Sequence, residues 1–375
     1  MNFKEAFLFN MLTPTELIRY QKQLKLPQWD IEKQVVLKSS HILVVGAGGL
    51  GVAALLYLAA AGIGQISIVD PDVVDLSNLG RQVIYTASEV GQSKALLAQR
   101  YLQNLNPEIN IKSFEVKLTS ENAAEFIRKA DLVVDCTDNF AARYLINDHC
   151  VSLEKPFVYA AIHAWEGLIS VCNALMPNGT RTATYRCLFP ESPNMSEIPN
   201  CDEVGVLGFI PGIMGLLQAK EAIFYLAGIS SPAQGALLRW DARDMSMKHF
   251  KVEREPDAAS TIFPKTNLEE VREIEVGEAY ALIQQNLAYI LDVRELDEFE
   301  IASIPDTLQI PMHHVPTNIA SLPVHKKCLV MCHHGMRSAH VIRFLQQEKG
   351  FTNLYNVSGG IDAWSMKIDP SIPRY

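Results

Sequence analysis

The stretch from His41 to Asp70, HILVVGAGGLGVAALLYLAAAGIGQISIVD, constrains this chain most, because it reads as strand, glycine turn, helix and second strand in immediate succession. Ile42 to Val45 is a short apolar run rich in β-branched residues. Gly46, Gly48 and Gly51 then fall in the G-x-G-x-x-G spacing, with Gly49 inside it, and Asp70 ends the next strand about 20 residues on. The first two glycines permit a tight turn and a close approach of backbone to phosphate. The third lets helix and strand pack, and the helix N-terminus offers unpaired N–H groups and the positive end of a dipole to an anion. Asp70 is placed to bind a ribose hydroxyl. NAD, FAD and ATP users share this fingerprint, and a bare packing turn can imitate it, so the surrounding sequence has to decide. A membrane span is the other reading of so apolar a stretch. Glycines crowd its first third, polar breaks follow by Gln65, and no basic flank marks a cytoplasmic side, so that reading fails.

Strand and helix signals continue to alternate beyond Asp70. Thr13-Pro14-Thr15-Glu16 starts a helix before the amphipathic run Leu17 to Leu26, and a second helix at about Trp29 to Leu37 leads into the glycine turn. PDVVDLSNLGRQVIY after Asp70 has no consistent period and is a long, functional loop. Helices at Gly91 to Asn104 and Glu121 to Lys129 alternate with strands at Ile109 to Glu115 and Leu132 to Asp135, the last leading into DCTDN. The expected fold is α/β, a doubly wound, mostly parallel sheet with ligands at the carboxyl ends of its strands. From Phe157 consecutive strands predict an antiparallel extension, Pro177 to Asn200 a crossing loop, Gly208 to Gly228 an apolar dimer or core helix, and Leu237 to Lys251 a closing hairpin.

At 375 residues there is room for two domains. We place the first at 1–252, a linker rich in charge and proline at 253–267, and a second, small α/β domain at 268–375. Within the latter, strands at Tyr289 to Val293 and Lys327 to Met331 and a helix at Ser338 to Glu348 bracket another candidate site. A net charge of −9 argues against a nucleic-acid partner. The start, MNFKEAFLFNM, lacks a long apolar core and a cleavage site, so a cytoplasmic protein with no membrane partner is expected. Seven cysteines scattered through the chain fit free thiols better than a disulfide framework.

GAGGLG, DPDVVDLSNLGRQ, GQSK at 91–94 and DCTDN at 135–139 together resemble the MoeB/ThiF family, relatives of ubiquitin-activating enzymes, over about residues 13–252. The resemblance implies ATP-dependent adenylation of the C-terminal glycine of a ubiquitin-like sulfur-carrier protein ending in Gly-Gly, in a homodimer. It assigns Asp70 and Asp72 to the ribose, Asn78, Arg81 and Lys94 to phosphates, and Asp138 to Mg²⁺. The chemistry agrees: a carboxylate nucleophile is already ionised, so the site needs cations and in-line geometry rather than a base. Singly, each residue has a plain reading: a solvated charge for Arg81 or Lys94, a helix cap for Asp138, a turn residue for Asn78. Two features depart from the family. Lys22, in RYQKQ, stands where relatives carry an arginine that reaches the neighbouring subunit's phosphates, and lysine lacks the planar fork. Of the two C-x-x-C pairs that hold zinc in many relatives, Thr184-Tyr185-Arg186-Cys187 replaces the first and the second is missing, so no structural zinc is expected. Cys201 matches a position where some relatives link covalently to the carrier, or it is plain packing; Cys136, Cys150, Cys172 and Cys328 read as core thiols.

LDVRELDEFEIASIP at 291–305, CHHGMRS at 332–338 and GGIDAW at 359–364 resemble a rhodanese over about 269–375. Residues curling after Cys332 aim N–H groups inward and a helix beginning near Ser338 adds its dipole, which stabilises a thiolate or persulfide; Arg337 adds positive charge. His333 and His334 should point apart and shape the loop. The combined reading is an adenylyltransferase joined to a sulfurtransferase that gives a carrier thiocarboxylate, with thiosulfate or a cysteine desulfurase persulfide as donor. Molybdenum-cofactor synthesis is the first pathway, thiamine or another thiocarboxylate pathway the second. An NAD-dependent oxidoreductase has only the glycine fingerprint in its favour, and a non-catalytic partner-binding module only the Lys22 and zinc departures.

Overall fold

A computed structural model describes residues 11–190, 205–255, 271–323, 325–349 and 351–375, and the chain divides into two compact units, one almost wholly within the residues up to 262 and the other almost wholly within 263–375. In the first, β1 (His41–Val45), β2 (Gln65–Val69), β3 (Asn110–Phe114), β4 (Leu132–Asp135), β5 (Phe157–His163), β6 (Glu166–Cys172), β7 (Ala236–Asp241) and β8 (Met247–Lys251) form one sheet in the order β3-β2-β1-β4-β5-β6-β7-β8. Strands β3 to β5 in that order pair in parallel, and the remaining pairs are antiparallel. The parallel strands are covered on both faces, which is why β1, β2 and β4 are nearly continuous runs of buried apolar residues. Strand order reverses between β1 and β4, which opens a crevice beyond their carboxyl ends.

Helix Gly49–Ala61 is apolar on every face because one side covers the sheet and another meets helix Phe209–Leu226. That contact is backbone-close: a Cβ on Gly215 would stand 2.1 Å from the Leu50 carbonyl oxygen. Burial of Met214, Gln218 and Ala222 makes Phe209–Leu226 a core helix of this unit, and among the described residues no helix is long and apolar enough to cross a membrane.

Several boundaries differ from the sequence reading. The first helix covers only Pro14–Arg19 rather than reaching Leu26, because Tyr20 turns in to a buried place under Gly62, where its hydroxyl accepts a hydrogen bond from Asn106 Nδ2 at 3.0 Å. The second starts at Ile31, capped by Asp30. The helix expected from Gly91 begins at Lys94, since Gly91 sits at φ +84° and Ser93 takes the cap. The linker placed at 253–267 lies for the most part outside the described residues.

The second unit is a parallel sheet in the order β11-β10-β12-β13-β9, with β9 (Glu273–Ile274), β10 (Ala288–Asp292), β11 (Leu308–Gln309), β12 (Lys327–Met331) and β13 (Leu354–Val357). Ile290, Leu329, Met331 and Trp364 pack on one face of it, and Leu291, Val330, Ile342 and Leu345 on the other.

A Cβ on Gly51 would fall 2.0 Å from the Gly46 carbonyl oxygen, and backbone cannot yield as a side-chain end can. Gly51→Ala should therefore lose about 2 kcal/mol or more of stability. Gly212→Ala, in a helix position with open space, should be neutral or gain up to about 1 kcal/mol. Urea denaturation of the pair measures the difference, and equal stabilities would mean that the turn relaxes.

Candidate functional site

In the first unit the site grows from the turn between β1 and helix Gly49–Ala61. Gly46 has φ +97°, and a Cβ there would meet the Cys136 carbonyl oxygen at 2.8 Å, so the turn lies directly against the end of β4. Gly48 is the N-cap and supplies no side-chain acceptor, which leaves the first N–H groups of the helix for a ligand. Asp70, 5% exposed, holds this loop in place: its Oδ2 accepts from Ala47 N at 2.6 Å and its Oδ1 from Asp72 N at 2.8 Å. Burial pushes the Asp70 carboxyl up, and these two N–H groups oppose the rise.

Lys94 opens helix Lys94–Leu105, and its buried side chain donates to the exposed Asp72 carboxylate at 3.2 Å. The two backbones are also joined, Lys94 N to the Asp72 carbonyl at 3.0 Å. Arg81 donates to the Ser77 carbonyl at 3.1 Å, and its Cγ comes within 3.5 Å of where a Cβ on Gly49 would stand. Asn78 closes a short 3₁₀ turn, Leu76–Asn78, accepting from Asp75 N at 3.3 Å. Two neighbours had no role in the sequence reading. Tyr85 donates to the Ala47 carbonyl at 2.9 Å, and Gln82 is 3% exposed with its Oε1 unpartnered and its Nε2 3.8 Å from a Cβ placed on Gly48. Only the position of Gln82 directly after Arg81 in NLGRQ could have flagged it.

Asp138 is exposed in the loop beyond β4, next to the Cys136 carbonyl that the glycine turn touches. The cap of helix Phe140–Ser152 is Asn139, whose Oδ1 accepts from Ala142 N at 2.9 Å, so Asp138 is not needed for that task. Buried Asp135 shapes the loop by accepting from Thr137 N at 3.0 Å and Oγ1 at 2.7 Å. The glycine cradle, Asp70, Asp72, Lys94 and Arg81 thus come together around one crevice with Asp138 on its β4 side. Lys22 is exposed in the turn after Pro14–Arg19, and among the described residues no hydrogen bond or ion pair ties it to this group. Cys201 lies outside the described residues.

The segment around residues 184–187 makes ordinary local contacts. Thr184 caps the short helix Tyr185–Leu188, and its Oγ1 is 3.3 Å from Cys187 Sγ. Tyr185 meets Tyr144 and Tyr159 edge to face, and Arg186 grips Asp148 through two bonds of 2.7 Å. No group of three metal-ligating side chains occurs among the described residues. Cys136, Cys150, Cys172 and Cys328 are buried, and burial raises each thiol, that of Cys328 to about 12.

In the second unit β12 delivers Cys332, 2% exposed, to the base of a helix. Gly335, at φ +102°, turns its N–H onto Cys332 Sγ at 3.1 Å, and Ser338 Oγ is 3.4 Å away. The helix runs Met336–Lys349, so it begins before Ser338 and already contains Arg337 and Ser338 in its first turn. The loop closes tightly on the next segment: a Cβ on Gly360 would stand 2.2 Å from the Cys332 carbonyl oxygen.

Two expectations need correction here. Arg337 does not bring an uncompensated positive charge, because Glu298 grips it through two bonds of 2.5 and 2.6 Å. Burial alone would raise the Glu298 carboxyl, but Arg337 and the Glu295 N–H hold it down to about 2. His333 and His334 do not point apart: their rings stack at 4.0 Å, and the Tyr375 ring lies parallel to His333 at 4.5 Å. Burial between these rings lowers the His333 pKa.

The ThiF family matches residues 20–261 and the rhodanese-like domain residues 275–367. The chain is 48% identical over 244 residues to a sulfur carrier protein adenylyltransferase of Thermus thermophilus, covering 65% of this chain and 90% of that protein. It is 35% identical to adenylyltransferase and sulfurtransferase MOCS3 of Aedes aegypti, across 98% of this chain and 90% of that one. To the probable adenylyltransferase/sulfurtransferase MoeZ of Mycobacterium tuberculosis it is 36% identical, across 97% and 96%. Among solved structures, Escherichia coli MccB with ATP superposes with a TM-score of 0.54 at 20% identity, over 64% of this chain and 72% of that one, which is a likeness of fold. With a family match spanning the first unit and relatives aligned along nearly its whole length, the chain belongs to the ThiF family and joins to it a rhodanese-like domain, an adenylyltransferase combined with a sulfurtransferase.

Proposed function

We propose that the first unit adenylates the C-terminal glycine of a ubiquitin-like sulfur-carrier protein, and that Cys332 of the second then supplies the sulfur that makes it a thiocarboxylate. One observation carries the first half: the Lys94 amine, buried and pre-aimed by Asp72, shares a crevice with Arg81 and the uncapped helix N-terminus. That set suits a triphosphate. The carrier carboxylate attacks the α-phosphorus, and the bond to the pyrophosphate oxygen breaks, its electron pair leaving with pyrophosphate. Lys94, Arg81 and the loop N–H groups offset the developing charge, and no side chain has to remove a proton. Mg²⁺, which usually takes one or two carboxylates plus phosphate oxygens, would be held through Asp138 and would neutralise phosphate charge. Asp70 and Asp72 face the ribose in this reading, and Asn78 a phosphate.

The name of the Thermus thermophilus relative, a sulfur carrier protein adenylyltransferase, supports a sulfur carrier as the partner. We assign the pathway to molybdenum-cofactor synthesis, with thiamine or another thiocarboxylate pathway as the second reading, and the working state to a cytoplasmic homodimer in which Lys22 reaches the other subunit's phosphates.

Labelled pyrophosphate should exchange into ATP only when a Gly-Gly-ending carrier is present. Asp138→Ala should abolish exchange, and Lys94→Ala should slow it by roughly two orders of magnitude; binding of NAD without ATP would overturn the assignment. Cys332→Ser should leave exchange intact and remove sulfur transfer, whereas equal loss of both would show that the two chemistries are not separable. Lys22→Ala mixed with Asp138→Ala should recover part of the activity, because one hybrid site then carries both residues. Absence of recovery despite measured subunit exchange would place Lys22 in its own subunit's site or in none.

A further inference from the structure

The sulfur-transfer reading assigns no task to Glu298, yet a two-bond charge pair in the helix that follows Cys332 is built on it. Arg337 stands in the first turn of the helix that follows Cys332, directly before Ser338, whose Oγ is 3.4 Å from Cys332 Sγ, and it has both terminal nitrogens on the Glu298 carboxylate, at 2.5 and 2.6 Å. The same carboxylate accepts the Glu295 N–H at 3.1 Å and the Tyr375 hydroxyl at 3.2 Å. Tyr375 Oη in turn accepts from Arg294 Nη1 at 2.8 Å, and Arg294 is fully buried on Asp292 and the Ala302 carbonyl. A surface pair would exchange partners freely. This one is braced on both sides, so the guanidinium stays matched to a carboxylate and the pair beside the thiol has no net charge.

That matters for the donor. In sulfur loading the Cys332 thiolate attacks the donor's outer sulfur, the bond to its inner sulfur breaks, and that electron pair leaves on the donor. A persulfide leaves as a thiolate, thiosulfate leaves as sulfite, and in both cases Cys332 becomes a persulfide. Thiosulfate brings two negative charges to the site, for which an unpaired arginine would be the natural receptor. A persulfide brings at most one and needs no such receptor.

We propose that Glu298 is a positioning residue that, by neutralising Arg337, turns the Cys332 site away from small dianionic donors and toward a sulfane sulfur carried as a persulfide. The proposal rests on the assignment of Cys332 as the sulfur-bearing residue.

The full-length protein decides it with two donors, thiosulfate and the persulfide of 2-mercaptoethanol, which has no other charge. Glu298→Gln keeps an acceptor for Glu295 N and Arg337 while removing the negative charge. It should lower KM for thiosulfate about five-fold or more, leave kcat within about two-fold, and lower KM for the singly charged persulfide by clearly less. The gain should fade as salt is raised. Tyr375→Phe, which keeps the ring on His333 and only loosens the pair, should move thiosulfate KM the same way by about two-fold. It carries the test if Glu298→Gln fails to fold. An unchanged or raised thiosulfate KM, or equal shifts for both donors, overturns the proposal. If Cys332→Ser still transfers sulfur, the underlying assignment fails instead, and that outcome is read independently of the KM ratio.

Discussion

The first unit depends on one steric fact, the contact of backbone with backbone at the glycine turn. Gly46 lies against the Cys136 carbonyl and Gly51 against the Gly46 carbonyl, at separations no Cβ could enter. Because of those contacts the end of β1, the start of helix Gly49–Ala61 and the loop beyond β4 meet at one place, the point where strand order reverses. Everything polar in the crevice is then hung from that frame. Asp70 is the clearest case, since its carboxylate ties Ala47 and Asp72 together before it can meet any ligand.

The second unit solves a similar problem with similar means. Gly335 and Gly360 both take positive φ, the first to aim an N–H at Cys332 and the second to let its own chain pass the Cys332 carbonyl. The Cys332 sulfur is thereby held nearly out of solvent with a backbone N–H facing it. The two sites handle cations in different ways. Lys94 is a buried amine whose partner, Asp72, is exposed. Arg337 and Glu298 are both largely enclosed and joined by two bonds, so the pair persists.

Much of the fold was legible in the sequence for a physical reason: apolar runs of strand length, interrupted by glycine turns and helical periods, leave few ways to bury a parallel sheet. Strand β4 stands where its residues predicted it, and β12 likewise. Helix ends were less legible, because they follow from tertiary events. The first helix stops at Arg19 since Tyr20 has a buried seat under Gly62, formed by residues far along the chain.

The sequence by itself, through its resemblance to two families, pointed to the two chemistries and named candidate residues for them, since glycine spacing, charge order and the position of Cys332 are local properties. Only the tertiary structure decided how those charges are spent. It placed Asp70 on backbone N–H groups, left Gln82 with an unpartnered oxygen beside the glycine loop, and stacked His333 between His334 and Tyr375. It also set Glu298 against Arg337, 39 positions later, a pairing no local pattern contains. Electrostatic partners of this kind are chosen by distance in space, and a charge read along the chain carries its sign but not its neighbour.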